Sequence, residues 1–236
     1  DKYAVLVFHG QNITDQQQID FSKNFGDLEL PDNKSNIIKP DQRRVRAEIA
    51  DVSNLDKDHK PFQREDRRRF FNFGNQLWHS DSSFRVVPAK YSLLSARTVV
   101  SRGGNTEFAD MRAAYDALDD YGRQEVDELI CEHSLMYSRG LLGFSDLTED
   151  EKANFKPVRQ SLVRTHPVTG RKAIFVNQSV TKRILGEENG ALLERLYRLS
   201  GVPEYQARFH WNAPGDCALW DNRCVQHQAL ADYNER

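Results

Sequence analysis

The apolar residues of this sequence come in short runs broken by turn-forming residues, and this pattern limits the fold more than any other feature. Short β-branched or apolar runs are typical of strands bounded by turns. The runs that predict strands are 3–8, 47–52, 74–81, 91–100, 161–165, 173–177 and 217–221. None approaches the roughly 20 apolar residues that a membrane-spanning helix requires. The pattern therefore favours a sheet-rich protein that is not embedded in a membrane.

Two capping boxes predict where helices begin. Thr14 is followed three residues later by Gln17, and Thr148 by Glu151, so that each pair can satisfy free backbone donors of a first helical turn. We expect the first helix to end before Gly26 and the second to cover about 149–154. Apolar spacing predicts further helices at 110–118, 122–130 and 191–200. Thr169-Gly170 predicts a hairpin turn between two of the strands.

The segment 28–70 is polar and contains three prolines. We expect long loops around the one short strand at 47–52, of the kind that often form a lid or a binding loop. The sequence contains no internal repeat and no linker, so residues 1–236 are predicted to form a single domain. Many short strands with a few helices predict a mainly β protein with helices (α+β), built on a jelly roll or sandwich. We also expect natural N- and C-terminal segments to be missing from this chain.

Charge and cysteine content narrow the function classes. Lys and Arg number 33 against 35 Asp and Glu, which argues against a nucleic-acid-binding protein. The basic runs at 43–46 and 67–69 are flanked by acidic residues, and a solvated, ion-paired surface explains them. The three cysteines form no CxxC pair, which predicts a reducing, cytoplasmic location rather than a disulfide scaffold.

Two segments supply the residues of a metal site. In the first, His79 and Asp81 are separated by one residue, so on a strand both would point to the same face. An isolated pair of this kind usually arises by chance. The second segment, 215–223, predicts a turn and a strand ending in WDNR, and His227 follows it. Two histidines and a carboxylate match the facial triad of non-haem Fe(II) oxygenases, although catalytic zinc stays open.

Several longer segments, in the same order, resemble one protein family. They are FHGQNITDQQQIDFSKNFGDLE (8–29), NQLWHSDSSF (75–84), GGNTEFADMRAAYDAL (103–118), LVRTHPVTGRK (162–172) and GDCALWDNRCVQH (215–227). Together they resemble the TauD/TfdA family of Fe(II)- and 2-oxoglutarate-dependent dioxygenases. The resemblance implies a double-stranded β-helix (jelly roll, cupin-like) core with Fe(II) at one mouth, and Fe(II), 2-oxoglutarate and O2 as cofactor and cosubstrates.

The resemblance also assigns residues. His79, Asp81 and His227 fall on the three metal ligands of the family, and Thr106 falls on the threonine that binds a 2-oxoglutarate carboxylate. Gly103-Gly104 would form the turn that delivers Thr106. The family's arginines for 2-oxoglutarate lie a little more than ten positions beyond the second histidine. This chain ends at Arg236, nine positions beyond His227, and we do not assign the function to Arg236.

The family implies a small anionic substrate, and the segments above favour an aryloxyacetate that is hydroxylated and cleaved to a phenol and glyoxylate. Lys39, Lys60, His166 and Asn75 are the candidate substrate-binding residues, Asn75 because it would share the strand face of the metal ligands. We expect a homo-oligomer, dimer to tetramer, that binds neither nucleic acid nor membrane.

Other functions stay open from the sequence. Segments 176–184 and 227–233 are similar to the taurine branch of the family, so a taurine or alkylsulfonate dioxygenase is the main alternative. A non-catalytic metal-binding jelly-roll protein and a zinc hydrolase are further alternatives.

Overall fold

The strands of this protein form small antiparallel sheets. The structure is a computed structural model, which describes residues 2–30, 40–144, 147–188 and 190–233. The strands are β1 (Val5–Phe8), β2 (Tyr91–Ser95), β3 (Thr106–Asp110), β4 (Ile130–His133), β5 (Val158–Ser161), β6 (Val163–Thr165), β7 (Lys172–Ile174), β8 (Thr181–Ile184), β9 (Gln206–Phe209), β10 (Cys217–Asp221) and β11 (Val225–Ala229). Their orders within sheets are β1-β10-β2, β11-β3-β9, β5-β4-β8 and β6-β7. The paired strands of all four sheets run antiparallel.

Short helices connect and cover these sheets. They are α1 (Asp15–Lys23), α2 (Arg67–Asn72), α3 (Met111–Asp116), α4 (Asp120–Val126), α5 (Leu135–Leu141), α6 (Glu149–Asn154) and α7 (Ala191–Tyr197). Both predicted capping boxes are confirmed, because Thr14 with Gln17 and Thr148 with Glu151 each form the reciprocal pair of bonds. The predicted hairpin is confirmed as well, since β6 and β7 flank Gly170, whose φ is +69°.

The main hydrophobic core lies where the β10 and β11 sheets meet. Trp78, Phe108 and Trp220 are among its buried members, and the rings of Phe108 and Trp220 lie 5.5 Å apart. The ring centroid of His227 lies 4.7 Å from that of Trp220 and 6.1 Å from that of Phe108. One candidate metal ligand is thus held directly against the core, where side-chain packing limits its motion.

Two of the predicted strands are wrong. The segment 74–81 contains the end of a 3-10 turn, Phe73–Gln76, that continues from α2, and only His79 makes an isolated bridge. The segment 47–52 forms turns and bends, and the nearest β-bridge joins Leu55 to Pro61. Both runs are short, so their apolar alternation is a weak signal for a strand. In the first run the chain also continues from α2 into the 3-10 turn, which prevents an extended backbone there.

Other boundaries differ from the prediction. The predicted strand at 3–8 begins at Val5, and it is an edge strand instead of a buried one, with Leu6, Val7 and Phe8 37–43% exposed. The helix predicted to reach Ile130 ends at Val126, and Ile130 begins β4. Several elements were not predicted from the sequence. They are the strands β3, β4, β5, β8, β9 and β11 and the helices α2 and α5.

Within the described residues, every helix is too short or too polar to cross a lipid bilayer.

Candidate metal centre

Two histidines face each other across an isolated antiparallel bridge. The backbone N–H of His79 donates to the carbonyl of His227 at 3.0 Å, and the N–H of His227 donates to the carbonyl of His79 at 2.8 Å. Directly opposed residues of this kind bring their side chains to the same face. Their ring centroids lie 4.1 Å apart. The pairing of β11 with an irregular segment therefore brings together two imidazoles from distant parts of the sequence.

Asp81 completes the group because the chain turns immediately after the bridge. Ser82 has a φ of +55°, a left-handed conformation that reverses the backbone. Asp81 Oδ1 lies 3.7 Å from His79 Nε2 and 3.8 Å from His227 Nε2. One donor atom from each of the three residues lies within 4.8 Å of the others. Strand alternation predicted that His79 and Asp81 lie together, whereas the structure brings the three residues together with a bridge and a turn.

Hydrogen bonds set the orientation of two of these side chains. His79 Nδ1 lies 2.7 Å from the carbonyl of Leu77, which can only accept, so Nδ1 carries the hydrogen and the lone pair is on Nε2. Ser92 donates to Asp81 Oδ2 at 2.6 Å, which leaves Oδ1 facing the histidines. Each side chain thus presents a lone pair toward the same point.

The electrostatic environment keeps these groups in the protonation states that bind a cation. Burial, with the nearby positive charge of Arg139, lowers the pKa of His79. Burial and the proximity of His79 lower the pKa of His227 to about 3. Burial opposes ionisation of Asp81, but His227, His79 and the Ser92 hydrogen bond outweigh it and lower its pKa. At neutral pH the site holds two neutral imidazoles and one carboxylate, which is the state that metal binding requires.

Thr106 begins β3, next to the strand that carries His227. In the register of β3 with β11, Thr106 lies opposite Ala229 and Phe108 lies opposite His227. Thr106 and His227 therefore share a face of the sheet. The indole N–H of Trp211 donates to Thr106 Oγ1 at 3.1 Å, and this leaves the hydroxyl hydrogen of Thr106 available as a donor.

The turn before Thr106 needs its two glycines. Gly103 and Gly104 have φ values of +82° and +66°, which a residue with a side chain rarely adopts. The N–H of Gly104 donates to Asp232 Oδ1 at 2.7 Å. The predicted Gly-Gly turn is thus present and is fastened to the chain beyond β11.

The structure describes three of the four predicted substrate-binding residues, Asn75, Lys60 and His166. Asn75 lies in the 3-10 turn ahead of His79 and is half-buried, so the strand alternation used to predict its direction does not apply. Lys60 is exposed, in a turn where its backbone N–H donates to Asp56. Lys39 lies outside the described residues, as does Arg236.

His166 is engaged by its own surroundings. Its Nε2 lies 3.1 Å from Asp221 Oδ2, and its Nδ1 accepts from the backbone N–H groups of Val168 and Thr169. Asp221 is also paired with Arg223. With both ring nitrogens occupied, a substrate contact by His166 would require one of these bonds to break, and that contact stays a prediction.

The sequence analysis did not identify two residues that lie near the candidate site. Asn222, inside the WDNR segment, accepts from the backbone N–H of Asp81 at 3.0 Å, and its place in a quoted motif could have drawn attention to it. Arg139 lies close enough to influence His79, and no local pattern marks it.

Comparisons with known proteins cover nearly the whole chain. The family described as "Taurine catabolism dioxygenase TauD, TfdA family" matches residues 1–236. The alpha-ketoglutarate-dependent 2,4-dichlorophenoxyacetate dioxygenase of Cupriavidus pinatubonensis is 45% identical over 233 residues, 97% of this chain and 79% of that protein. The (S)-phenoxypropionate/alpha-ketoglutarate-dioxygenase of Sphingobium herbicidovorans is 37% identical over 238 residues, 97% of this chain and 77% of that protein.

Solved structures agree with these sequence matches. The crystal structure of AAD-2 in complex with Mn(II) and N-oxalylglycine has a TM-score of 0.90 and 51% identity, covering 97% of this chain and 79% of that one. A taurine dioxygenase from Burkholderia xenovorans has a TM-score of 0.68 and 26% identity, covering 98% of this chain and 71% of that one.

Proposed function

The chain belongs to the TauD/TfdA family of dioxygenases, and from that premise we propose that it hydroxylates an aryloxyacetate, using Fe(II), 2-oxoglutarate and O2. Hydroxylation of the carbon next to the ether oxygen gives a hemiacetal, which collapses to a phenol and glyoxylate. The observation that carries the proposal is the convergence of His79, Asp81 and His227. The relatives at 45% and 37% identity act on aryloxyalkanoates by name, whereas the taurine dioxygenase stands at 26%.

The donor set fits ferrous iron. Two imidazole nitrogens and one carboxylate oxygen suit Fe(II) and leave coordination positions for other ligands. Among the described residues, this group is the one set of three His, Cys, Asp or Glu side chains whose donor atoms converge. Fe(II) bound there with 2-oxoglutarate would supply the oxidising chemistry, in which 2-oxoglutarate is converted to succinate and CO2.

The chain's own residues would bind and orient 2-oxoglutarate and would exclude water from the metal ligands. In the proposal, Thr106 donates its hydroxyl hydrogen to a carboxylate of 2-oxoglutarate, because the indole of Trp211 already occupies one acceptor position of that hydroxyl. Phe108 and Trp220, both buried, close the side of His227 that faces the core. Exclusion of water from that side strengthens the electrostatic contacts of the imidazole.

We also propose that the sheets containing β3, β10 and β11 belong to a double-stranded β-helix and that residues 1–236 form a single domain. The main hydrophobic core, whose members run from Trp78 to Val225, supports both statements. A homo-oligomer stays a prediction from the sequence.

The test is coupled turnover of the purified protein with Fe(II), ascorbate and 2-oxoglutarate, against phenoxyacetate, 2,4-dichlorophenoxyacetate, (S)-phenoxypropionate and taurine. We expect succinate and a phenol in equal amounts with the aryloxyacetates, and little succinate with taurine. Turnover of taurine alone would replace the aryloxyacetate proposal by the sulfonate one. An absence of succinate with all four compounds would overturn the dioxygenase function for this chain.

A further inference from the structure

Arg139 is a buried guanidinium that has no carboxylate partner. The residue lies at the end of α5 and is only 6% exposed. Its Nη1 donates to Ser138 Oγ at 2.9 Å, while its buried Nε has no hydrogen-bond partner among the described residues. Across the same residues, no Asp or Glu lies within ion-pair distance of it. Arg112, which is buried to a similar degree, pairs with Asp110 at 2.8 Å.

The guanidinium lies against the segment that leads into the metal centre. A Cβ atom placed on Gly74 would be 1.9 Å from Arg139 Nη1, so the side chain occupies the space that this glycine leaves open. Ser179 links Ser138, the hydrogen-bond partner of Arg139, to the same segment. The Ser179 hydroxyl lies 3.3 Å from Ser138 Oγ, and the Ser179 backbone N–H donates to the carbonyl of Trp78 at 3.2 Å. Trp78 precedes His79 in the chain.

An unpaired buried charge is expensive for a fold. Moving a charged group out of water costs several kcal/mol unless a partner compensates it. Burial lowers the pKa of Arg139 to about 10, which still leaves the group charged at neutral pH. A charge kept in such a place is best explained by an anionic partner that arrives from outside the chain.

The surroundings of Arg139 also indicate the rest of that partner. Its guanidinium carbon lies 4.4 Å from the ring centre of Phe71, and Phe71 packs on a separate apolar cluster built on Leu135, Phe155 and Val180. A stacked guanidinium keeps the hydrogen-bond donors on its edge free for a planar carboxylate. A cation beside an apolar, aromatic cluster suits a ligand with a carboxylate at one end and an aryl group at the other.

We propose that Arg139 binds the carboxylate of an aryl carboxylate substrate, whose aryl group lies against the apolar cluster that includes Phe71. This inference rests on the proposed function, whose substrate it describes in more detail. Arg139 is a substrate-binding residue in this proposal, and it takes no part in holding the metal or 2-oxoglutarate.

The test compares two matched arginine variants. Arg139→Met keeps the length of the side chain and removes its charge. Arg164→Met is the control, because Arg164 likewise stacks on a phenylalanine, Phe175, at 3.8 Å and has no carboxylate partner in the described part of the chain. Binding of phenoxyacetate is measured by calorimetry, with the protein unloaded and loaded with Mn(II) and N-oxalylglycine, a pair that does not turn over.

We expect Arg139→Met to weaken phenoxyacetate binding about 30-fold, the effect of losing a charge-assisted hydrogen bond, and Arg164→Met to change it less than twofold. Thermal unfolding of Arg139→Met should occur at the same temperature or higher, because an unpaired buried charge is removed. A purely structural arginine would give a lower unfolding temperature. Arg139→Gln, which can still donate to Ser138, provides a second variant if the first does not fold.

Three outcomes would overturn the inference. They are unchanged phenoxyacetate binding in both Arg139 variants, no phenoxyacetate binding by the wild-type protein, or a loss of affinity for N-oxalylglycine with phenoxyacetate unaffected, which would assign Arg139 to the cosubstrate. The proposed function is judged separately by turnover of the wild-type protein. Arg139-dependent binding without any turnover would leave the binding site standing and remove the dioxygenase function.

Discussion

The side chain of Asn222 holds Asp81 by its backbone, because Asn222 Oδ1 accepts a hydrogen bond from the Asp81 N–H at 3.0 Å. The same oxygen accepts from the indole N–H of Trp220 at 3.1 Å. Asn222 Nδ2 donates to Ser92 Oγ at 2.8 Å, and Ser92 in turn donates to the Asp81 carboxylate. One buried amide thus positions both the backbone and the carboxylate of Asp81.

The first prediction concerns this amide. Asn222→Ala should weaken the affinity for Mn(II) about 10- to 100-fold, the usual effect of removing a residue that orients a metal ligand. Calorimetry below the unfolding temperature measures it. Asn24→Ala, at the exposed end of α1, is the control and should leave the affinity unchanged. An Asn222→Ala protein with wild-type Mn(II) affinity would show that Asp81 is held well enough without the amide.

The second prediction concerns the cosubstrate. Thr106→Val should weaken 2-oxoglutarate binding about tenfold by removing one hydrogen bond to a charged group, while metal affinity stays the same. The measurement is an anaerobic titration of the Fe(II)-loaded protein, followed by the visible absorption of the chelate. Thr106→Ser should restore most of the affinity. Equal affinities in all three proteins would remove Thr106 from the proposed cosubstrate site.

The third prediction concerns pH. Burial, with the positive charge of Arg164, lowers the pKa of His133 to about 3, whereas an unfolded histidine titrates near 6.5. Between these values the unfolded chain binds the extra proton, so this histidine contributes stability above about pH 6.5 that is lost as the pH falls toward 3. His133→Gln, which can still bond Thr181, should flatten that part of the profile by one proton, on the order of 1 kcal/mol per pH unit. Urea unfolding at several pH values measures the difference, and parallel profiles would contradict it.

The fourth prediction concerns the turn before β3. A Cβ on Gly103 would lie 2.7 Å from Asp232 O, and the residue has a φ of +82°. Gly103→Ala should therefore lower the free energy of unfolding by about 1–3 kcal/mol. Gly140→Ala, inside α5 with nothing within 4 Å of the added Cβ, should raise it by up to about 1 kcal/mol. Denaturant unfolding gives both values, and a change of the same sign in both variants would speak against a conformational cause.

The residues of the candidate metal centre could be identified from the sequence because His79, Asp81 and His227 lie in segments that resemble one family. The geometry could not. Strand alternation was the stated reason for bringing His79 and Asp81 together, yet the structure uses a bridge to His227 and a left-handed Ser82. Local pattern rules describe neighbours in sequence, and this contact depends on a strand far along the chain.

The supporting residues show the same limit. Asn222 acts on Asp81 from 141 positions away, and Arg139 reaches Gly74 from another helix. Such contacts exist only after the sheets have packed, so single-sequence periodicity carries no trace of them. The exposed face of β1 was also beyond prediction, since an apolar edge strand has the same composition as a buried one.

The bridge between His79 and His227 joins positions separated by 227 − 79 = 148 residues. Contacts of such long range close late in folding, because much chain entropy is lost before they form. During synthesis, His79 and Asp81 leave the ribosome well before His227 does. Until β11 docks, this site would offer an iron ion only one imidazole and one carboxylate. Binding of a metal ion by all three side chains would therefore wait for the assembled core, which makes occupancy of the site a report of completed folding.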